Sequence, residues 1–484
     1  MRGLSGQDKA ATDTSAGARP GRISSGIGPS DGVALDGVPP DGVPMPQRMW
    51  AILTIALGLT LAVLDGGIAN VALPTIAREV NTSPANSIWV VNAYQLAVTI
   101  SLLPLSSLGE IYGYRRIYQA GLVLFTLASL ACALSSSLPT LIVARMLQGF
   151  GAAGIMSVNS ALIRFIYPRR WLGRGVGLNA TVGSIASALG PSVASVILSV
   201  APWPWLFAVN VPLGVLGAVI ALRTLPATPL SGIRFDFTSA GLQAVAFGTL
   251  LFGVSEMGHG DSWVHVALEM VIAAVSGFVL VLRQLSRTAP LLPVDLLRIP
   301  LFALSVVTSV CSFIAQAIAQ VSMPFLFEHR FQFDQVMTGL LMTPWPLVVA
   351  VIAPFAGRLA DKYPAGLLGG CGLAVMGLGL LAMSLLPDHP TTLDIVWRMA
   401  VCGIGFGFFN TPNNRAIITS APPKRTGGAS GMQATARLLG QSMGAALVAL
   451  VFTAFPLNGT TVALFIAAGV AGVAACVSFT RLAA

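Results

Sequence analysis

Residues 141–151 read LIVARMLQGFG, an apolar stretch with one arginine, Arg145, in its interior; residues 395–399 read IVWRM. The echo is not isolated. GVGLNAT at 175–181 returns as ASGMQAT at 429–435, and SSLGEIYGYRR at 106–116 returns as AGRLADKYP at 356–364. Asn70-Val-Ala-Leu-Pro74 returns as Gln320-Val-Ser-Met-Pro324. In chain order the spacings are 250, 251, 253 and 254 residues. Chance matches would scatter, whereas these drift smoothly, so the chain carries a parallel internal repeat. Parallel repeats about an axis along the membrane normal are a transporter architecture, with the substrate site between the halves.

Composition points the same way. Only 9% of the 484 residues are charged, 55% are hydrophobic and the mean hydropathy is +0.80. A soluble chain carries about a quarter charged residues, and no soluble domain of this size hides so much apolar surface. The net charge of +9 could suggest nucleic acid. The basic residues, however, sit in short gaps between apolar runs rather than on a polar stripe, so no nucleic-acid partner is expected. The five cysteines lie within apolar runs without a CxxC pair, as small packing residues do. No metal-ligand spacing, no Ser-His-Asp set and no GK[ST] phosphate loop is present. The chain therefore reads as no enzyme, with no cofactor and no ATP drive of its own.

Residues 1–48, rich in Gly, Ser, Asp and Pro, read as a disordered tail, and no cleaved signal is expected. About fourteen later runs reach the roughly 20 residues that a bilayer-spanning helix needs. Their limits are 49–72, 86–108, 117–136, 139–164, 173–200, 205–224, 236–256, 264–283, 302–326, 336–358, 366–386, 391–414, 428–453 and 459–480. The expected class is an all-α membrane protein. A six-helix bundle (49–224) and a second one (302–484) flank two extra spans and their linkers at 225–301. Lys and Arg concentrate in alternate gaps, among them Arg115 with Arg116, Arg169 with Arg174, and Lys424 with Arg425. The positive-inside bias then places both termini in the cytoplasm, which an even number of spans satisfies, in a cell inner membrane.

Four stretches carry a resemblance. LDGGIANVALPTI at 64–76 puts Asp65, the only acid of its span, before Asn-Val-Ala-Leu-Pro. A charge at helix centre costs about 2.5–3.5 kcal/mol on insertion scales, so such an acid faces a cavity or sits at the wetted helix end. The gap after span two reads Ser106-Ser-Leu-Gly109-Glu110-Ile111-Tyr-Gly113-Tyr-Arg115-Arg116, and its later copy contains Asp361. Arg145 needs an intramembrane partner, either Asp65 or an interhelical carbonyl. Span five contains Gly190-Pro191 among small residues that permit close packing and a kink.

Together these resemble the major facilitator superfamily and, more narrowly, its fourteen-span drug:proton antiporters, which export quaternary ammonium compounds and dyes. The likeness runs from about residue 49 to the end. It implies a major facilitator fold. It also implies proton coupling through Asp65 and Arg145, a cytoplasmic latch at Glu110, Arg115, Arg116 and Asp361, and a hinge at Gly190 and Pro191. Glu110 stands where the family carries Asp, and Ile111 where a basic residue is usual. Substrate would meet Asp65, with Glu269, Gln316 and Trp345 as further candidates; each of these three is equally read as packing or interface. Arg437, in span thirteen, matches a family arginine whose role the sequence does not yield.

The expected function is proton-coupled export of hydrophobic, cationic toxic compounds by alternating access. The partners are a small-molecule substrate, protons and the bilayer; envelope efflux partners are left open. Two alternatives stay open: export of an endogenous metabolite or an anionic or neutral antibiotic, which three intramembrane arginines favour, and a non-transporting membrane sensor or scaffold.

Overall fold

Apolar runs this long in lipid have one way to satisfy their backbone, namely helix. In the computed structural model they form α1 (Gln47–Glu79), α2 (Pro84–Tyr112), α3 (Tyr114–Ala133), α4 (Leu138–Ile166), α5 (Leu172–Val200), α6 (Trp205–Thr224) and α7 (Phe237–Glu256). There follow α8 (Trp263–Leu285), α9 (Pro300–Phe325), α10 (Gln335–Leu359), α11 (Ala365–Ser384), α12 (Thr392–Ser420), α13 (Thr426–Ala454) and α14 (Gly459–Thr480). The structure describes residues 42–168, 171–228, 230, 235–256, 263–285, 294–422 and 425–482. Among them, thirteen helices are long and apolar enough to cross a membrane. The bent α5, with 44° between Thr181–Ser187 and Leu189–Val200, makes a fourteenth.

Helix ends follow local chemistry. α1 runs to Glu79 rather than 72 because nothing stops it until Asn81, which takes a φ of 51°. Ser137 caps α4 and Thr391 caps α12, each in a reciprocal capping box. Residues 1–41 of the expected tail lie outside the described residues. Its last residues are ordered: Val43 is buried, and its amide donates to the Ile166 carbonyl at the end of α4.

The repeat is visible in the packing. In the first bundle α1 packs on α5, α2 on α4, and α3 on α4 and α6. In the second, α9 packs on α13, α10 on α12, and α11 on α12 and α14. Even the tightest crossings repeat. A β-carbon at Gly151 would stand 2.4 Å from the Phe125 amide nitrogen on α3, and one at Gly405 2.3 Å from that of Met376 on α11. Without a hydrophobic drive between helices in lipid, such backbone approach supplies the packing. The extra pair sits to one side. α7 packs on α2, α13 and α8, and α8 packs principally on α7. Asp236, ahead of α7, pairs with Arg283 of α8 at 2.9 Å.

The two bundles join most closely at the α1–α2 end. There Arg78 of α1 pairs with Glu328, in the π turn after α9, at 2.9 Å. The Ser192 and Thr343 hydroxyls, on α5 and α10, lie 2.9 Å apart. One continuous core runs through both bundles at this end, from Ile68, Leu73 and Phe207 to Phe325 and Leu341. Toward the α2–α3 end the core divides, with Tyr118, Phe125 and Ile163 in one part and Phe302, Ile417 and Met432 in the other.

Candidate functional site

Asp65 and Arg145 meet in the first bundle. Both are sealed from solvent, at 1% and 0% exposure. An Arg145 Nη1 donates to Asp65 Oδ2. The other carboxylate oxygen accepts from the Gln148 amide at 2.9 Å and from the Asn210 amide at 2.8 Å. Arg145 Nε donates to the Val90 carbonyl of α2 at 2.9 Å, and Nη1 also reaches Gln148 Oε1 at 2.6 Å. Its guanidinium lies over the Tyr94 ring at 4.3 Å and near Phe207 at 5.4 Å. Gln148 is held in turn by the Ser129 hydroxyl at 2.9 Å. Side chains or carbonyls from α1, α2, α3, α4 and α6 thus join in one network around the Asp65–Arg145 pair.

A pair so enclosed depends on partners for its charged atoms, because the desolvation cost of separated buried ions is several kcal/mol each. Both Asp65 oxygens and the Arg145 Nε and Nη1 are partnered, and Nη2 is not. Here Asp65 gains both an opposite charge and two amide donors. Of the sequence's two partners for Arg145, the acid and a carbonyl, the structure supplies both. The sequence reading missed the roles of Asn210, Ser129 and Tyr94. An amide side chain inside an apolar run was the signal available at Asn210.

The repeat counterpart lacks this chemistry. Arg398 turns to Asp394 one helical turn earlier, at 3.3 Å, and stacks on Trp397 at 4.7 Å. At the repeat spacings Ala315 stands where Asp65 would be, and Val401 replaces Gln148. Among the described residues, the buried acid–base centre belongs to the first bundle.

Gly190 packs on α1 two residues beyond Asp65: a β-carbon there would stand 3.6 Å from the Gly67 α-carbon. The next turn of α5 meets the second bundle. A β-carbon at Gly339 of α10 would lie 2.8 Å from the Pro191 carbonyl oxygen. Gly190 and Pro191 therefore stand between the Asp65 helix and the bundle interface.

The other candidates lie elsewhere. Glu110 is exposed at the end of α2, Arg116 is exposed, and Arg115 donates to the Leu222 carbonyl of α6. Asp361 pairs with Arg415 of α12. Both of these contacts stay within one bundle. Glu269 packs beside Gly253 on the α7–α8 pair, away from the bundle interface. Trp345 is buried in the second bundle with its carbonyl against Gly403 of α12. Gln316 is half-buried on α9. Among the described residues no group of His, Cys, Asp and Glu could hold a metal ion.

Comparison with known proteins agrees with the architecture. Residues 55–445 match the profile of the Major Facilitator Superfamily. The chain is 56% identical to the uncharacterized transporter YebQ of Escherichia coli K12, over 91% of this chain and 97% of that one. It is 30% identical to the riboflavin transporter RibZ of Clostridioides difficile strain 630, over 84% of this chain and 89% of that one. It is also 30% identical to the multidrug resistance protein Stp of Mycobacterium tuberculosis, over 84% of this chain and 76% of that one. Among solved structures, a bacterial homologue of the lysosomal transporter Spinster shares the fold with a TM-score of 0.66 at 14% identity, over 91% of this chain and 98% of that one. A peptide-bound POT family transporter does so with a TM-score of 0.69 at 14% identity, over 89% and 95%. Repeat, helix pairing and sequence match lead to one assignment: the chain belongs to the Major Facilitator Superfamily of membrane transporters.

Proposed function

We propose that this transporter is a proton-coupled exporter of hydrophobic toxic compounds, working by alternating access in a cell inner membrane with both termini cytoplasmic. The observation that carries the reading is the sealed Asp65–Arg145 pair. A titratable acid whose two oxygens are both held in a buried site can exchange a proton only when a conformational change lets water reach it. The bundles meet over that site at the α1–α2 end. When they part there, Asp65 takes a proton and releases Arg145. When they close again and open at the α2–α3 end, the proton leaves and the pair re-forms. Proton and substrate are thereby coupled through one two-state motion. The resemblance to drug:proton antiporters and the multidrug resistance relative support export of toxicants.

The geometry changes one part of the expectation. Both Asp65 oxygens are occupied by protein donors, so in this state the acid offers no counter-charge to a cationic substrate. A second reading, export of an anionic or neutral compound, is favoured by Arg437, taken up below. The test is reconstitution: in proteoliposomes with an imposed pH gradient, a toxicant from a resistance panel should accumulate against its own gradient and collapse the proton gradient as it moves. Proton flux unaffected by every compound to which the protein confers resistance would support the sensor or scaffold reading instead.

A further inference from the structure

Arg437 lies near the middle of α13, eleven residues from its start at Thr426, which at 1.5 Å per residue is about 16 Å along the helix. No hydrogen bond or ion pair reaches it from the described residues, and its Nε is buried without a partner. Carboxylates that could have answered it are committed elsewhere. Asp65 is held by Arg145, Glu328 by Arg78, Asp394 by Arg398, and Glu79 accepts from the Trp203 indole at 2.7 Å.

The helix wheel fixes what Arg437 faces. On one flank of α13, Gly431 faces Leu103 of α2, and Ser442 meets Thr99 of α2 at 3.4 Å. On another flank, β-carbons at Gly440 and Gly444 would stand 2.7 and 2.6 Å from the Val310 and Ile314 carbonyl oxygens of α9. At 100° per residue, Arg437 and Gln441 fall in the arc between these flanks, and Gln433 borders it on the α9 side. The repeat copy shows which arc this is. Gly183 and Ser187 of α5 align with Arg437 and Gln441 at the 254-residue spacing. On α5 the exposed apolar row Leu178, Ile185, Leu189 and Val196 marks the lipid side. Gly183 lies away from that row, against Leu59 of α1, and Ser187 is opposite it yet still exposed. That side of α5 and of α13 therefore borders the space between the bundles. Gln433, Arg437 and Gln441 are each half-buried there, with no side-chain hydrogen bond from the described residues.

We propose that Gln433, Arg437 and Gln441 form an anion-receiving site between the bundles, and that the transported compound is an amphipathic organic anion with a planar head such as a carboxylate. The planar guanidinium fork matches a carboxylate bidentately, and the two amides, one turn to either side, add neutral donors. The depth of Arg437 places it beyond the bilayer headgroups, so its anion comes from the space between the bundles rather than from a snorkelling contact. The assignment rests on the exporter reading for its biological sense. Its test is a binding measurement, independent of proton coupling.

The full-length purified protein in neutral detergent is titrated calorimetrically with 1-naphthoate and, separately, with the cation 1-naphthylmethyltrimethylammonium. Wild type should bind the anion in preference to the cation. Arg437→Gln, checked for folding by its melting temperature, should weaken naphthoate binding by about tenfold or more, the scale of a charged hydrogen bond. Arg437→Lys should retain part of the affinity. Asp236→Asn, on the extra pair of spans, should leave anion binding unchanged, so a general loss of stability and loss of the site separate. Unchanged naphthoate affinity in folded Arg437→Gln, preference for the cation, or no naphthoate binding at millimolar concentration would each overturn the proposal. A further arm with phosphatidylglycerol tells a lodged lipid from a diffusible anion; binding of the lipid alone would also overturn it.

Discussion

Gly190 and Gly67 cross backbone to backbone: a β-carbon added at Gly190 would stand 3.6 Å from the Gly67 α-carbon and 3.8 Å from the Ile68 amide nitrogen. The crossing lies two residues from Asp65 and one before Pro191, whose carbonyl faces Gly339 of the second bundle. A change at this contact therefore reaches both the acid and the bundle interface.

The distances give the size limit. At 3.6 Å a methyl group makes ordinary van der Waals contact, so Gly190→Ala should transport near the wild-type rate. A leucine has no room and should part α5 from α1, abolishing transport. Rates per molecule inserted, with membrane levels measured in parallel, decide it. Full transport by Gly190→Leu would show that the crossing is not needed.

How far the sequence foretold this arrangement depended on residue type. Asp65 and Arg145 were legible because a charge inside an apolar run is costly and must have a partner. Asn210, Ser129 and Tyr94 were not, since neutral polar groups recur along membrane helices and only proximity shows which of them answer Asp65. The repeat and its helix pairing followed from the drifting spacings. The sequence offered Glu110, Arg115, Arg116 and Asp361 as a latch, whereas their actual partners needed coordinates: Arg115 reaches the Leu222 carbonyl and Asp361 reaches Arg415. Glu269 and Trp345 were single residues without a spatial argument. Arg437 was visible as a charge, whereas its lack of a partner and the arc it faces required coordinates.

The ion pair makes its own prediction. Arg145→Gln would leave Asp65 buried beside amides and no cation. Removing one partner of a buried pair costs about 3–5 kcal/mol. This variant should accumulate poorly and melt early in detergent. Asp65→Asn combined with Arg145→Gln removes both charges and should recover much of the stability while remaining uncoupled. A double-mutant cycle on melting temperature measures this. Additive effects would mean that the two residues do not depend on each other.

A pH dependence is expected at the extra pair of spans. Burial alone would raise the Asp236 carboxyl, but hydrogen bonds from Arg283 and from the Ser239 side chain and amide outweigh it and bring it down to about 2. The folded value lies below the ordinary value of about 3.9. The contribution is therefore complete above about pH 4 and fades as the pH falls toward 2. The pair is partly exposed, with side-chain exposures of 33% and 21%, which limits it to about 0.5 kcal/mol. Asp236→Asn should lower the melting temperature slightly at pH 7, and the difference should shrink below pH 4. A difference that stays constant down to pH 2.5 would assign the effect to lost packing rather than to charge.

Asp65→Asn tests the central claim most directly, because the amide keeps the size of the side chain and cannot titrate. The measurement is uphill transport of a resisted compound in proteoliposomes, with the lumenal pH recorded in the same vesicles and equal amounts of inserted protein. Wild type should concentrate the compound while protons flow the other way, and Asp65→Glu should do so partially. Asp65→Asn should show neither uphill movement nor substrate-dependent proton flux. Uphill, proton-driven transport by Asp65→Asn at the wild-type rate would contradict the account and move the coupling away from the Asp65–Arg145 centre.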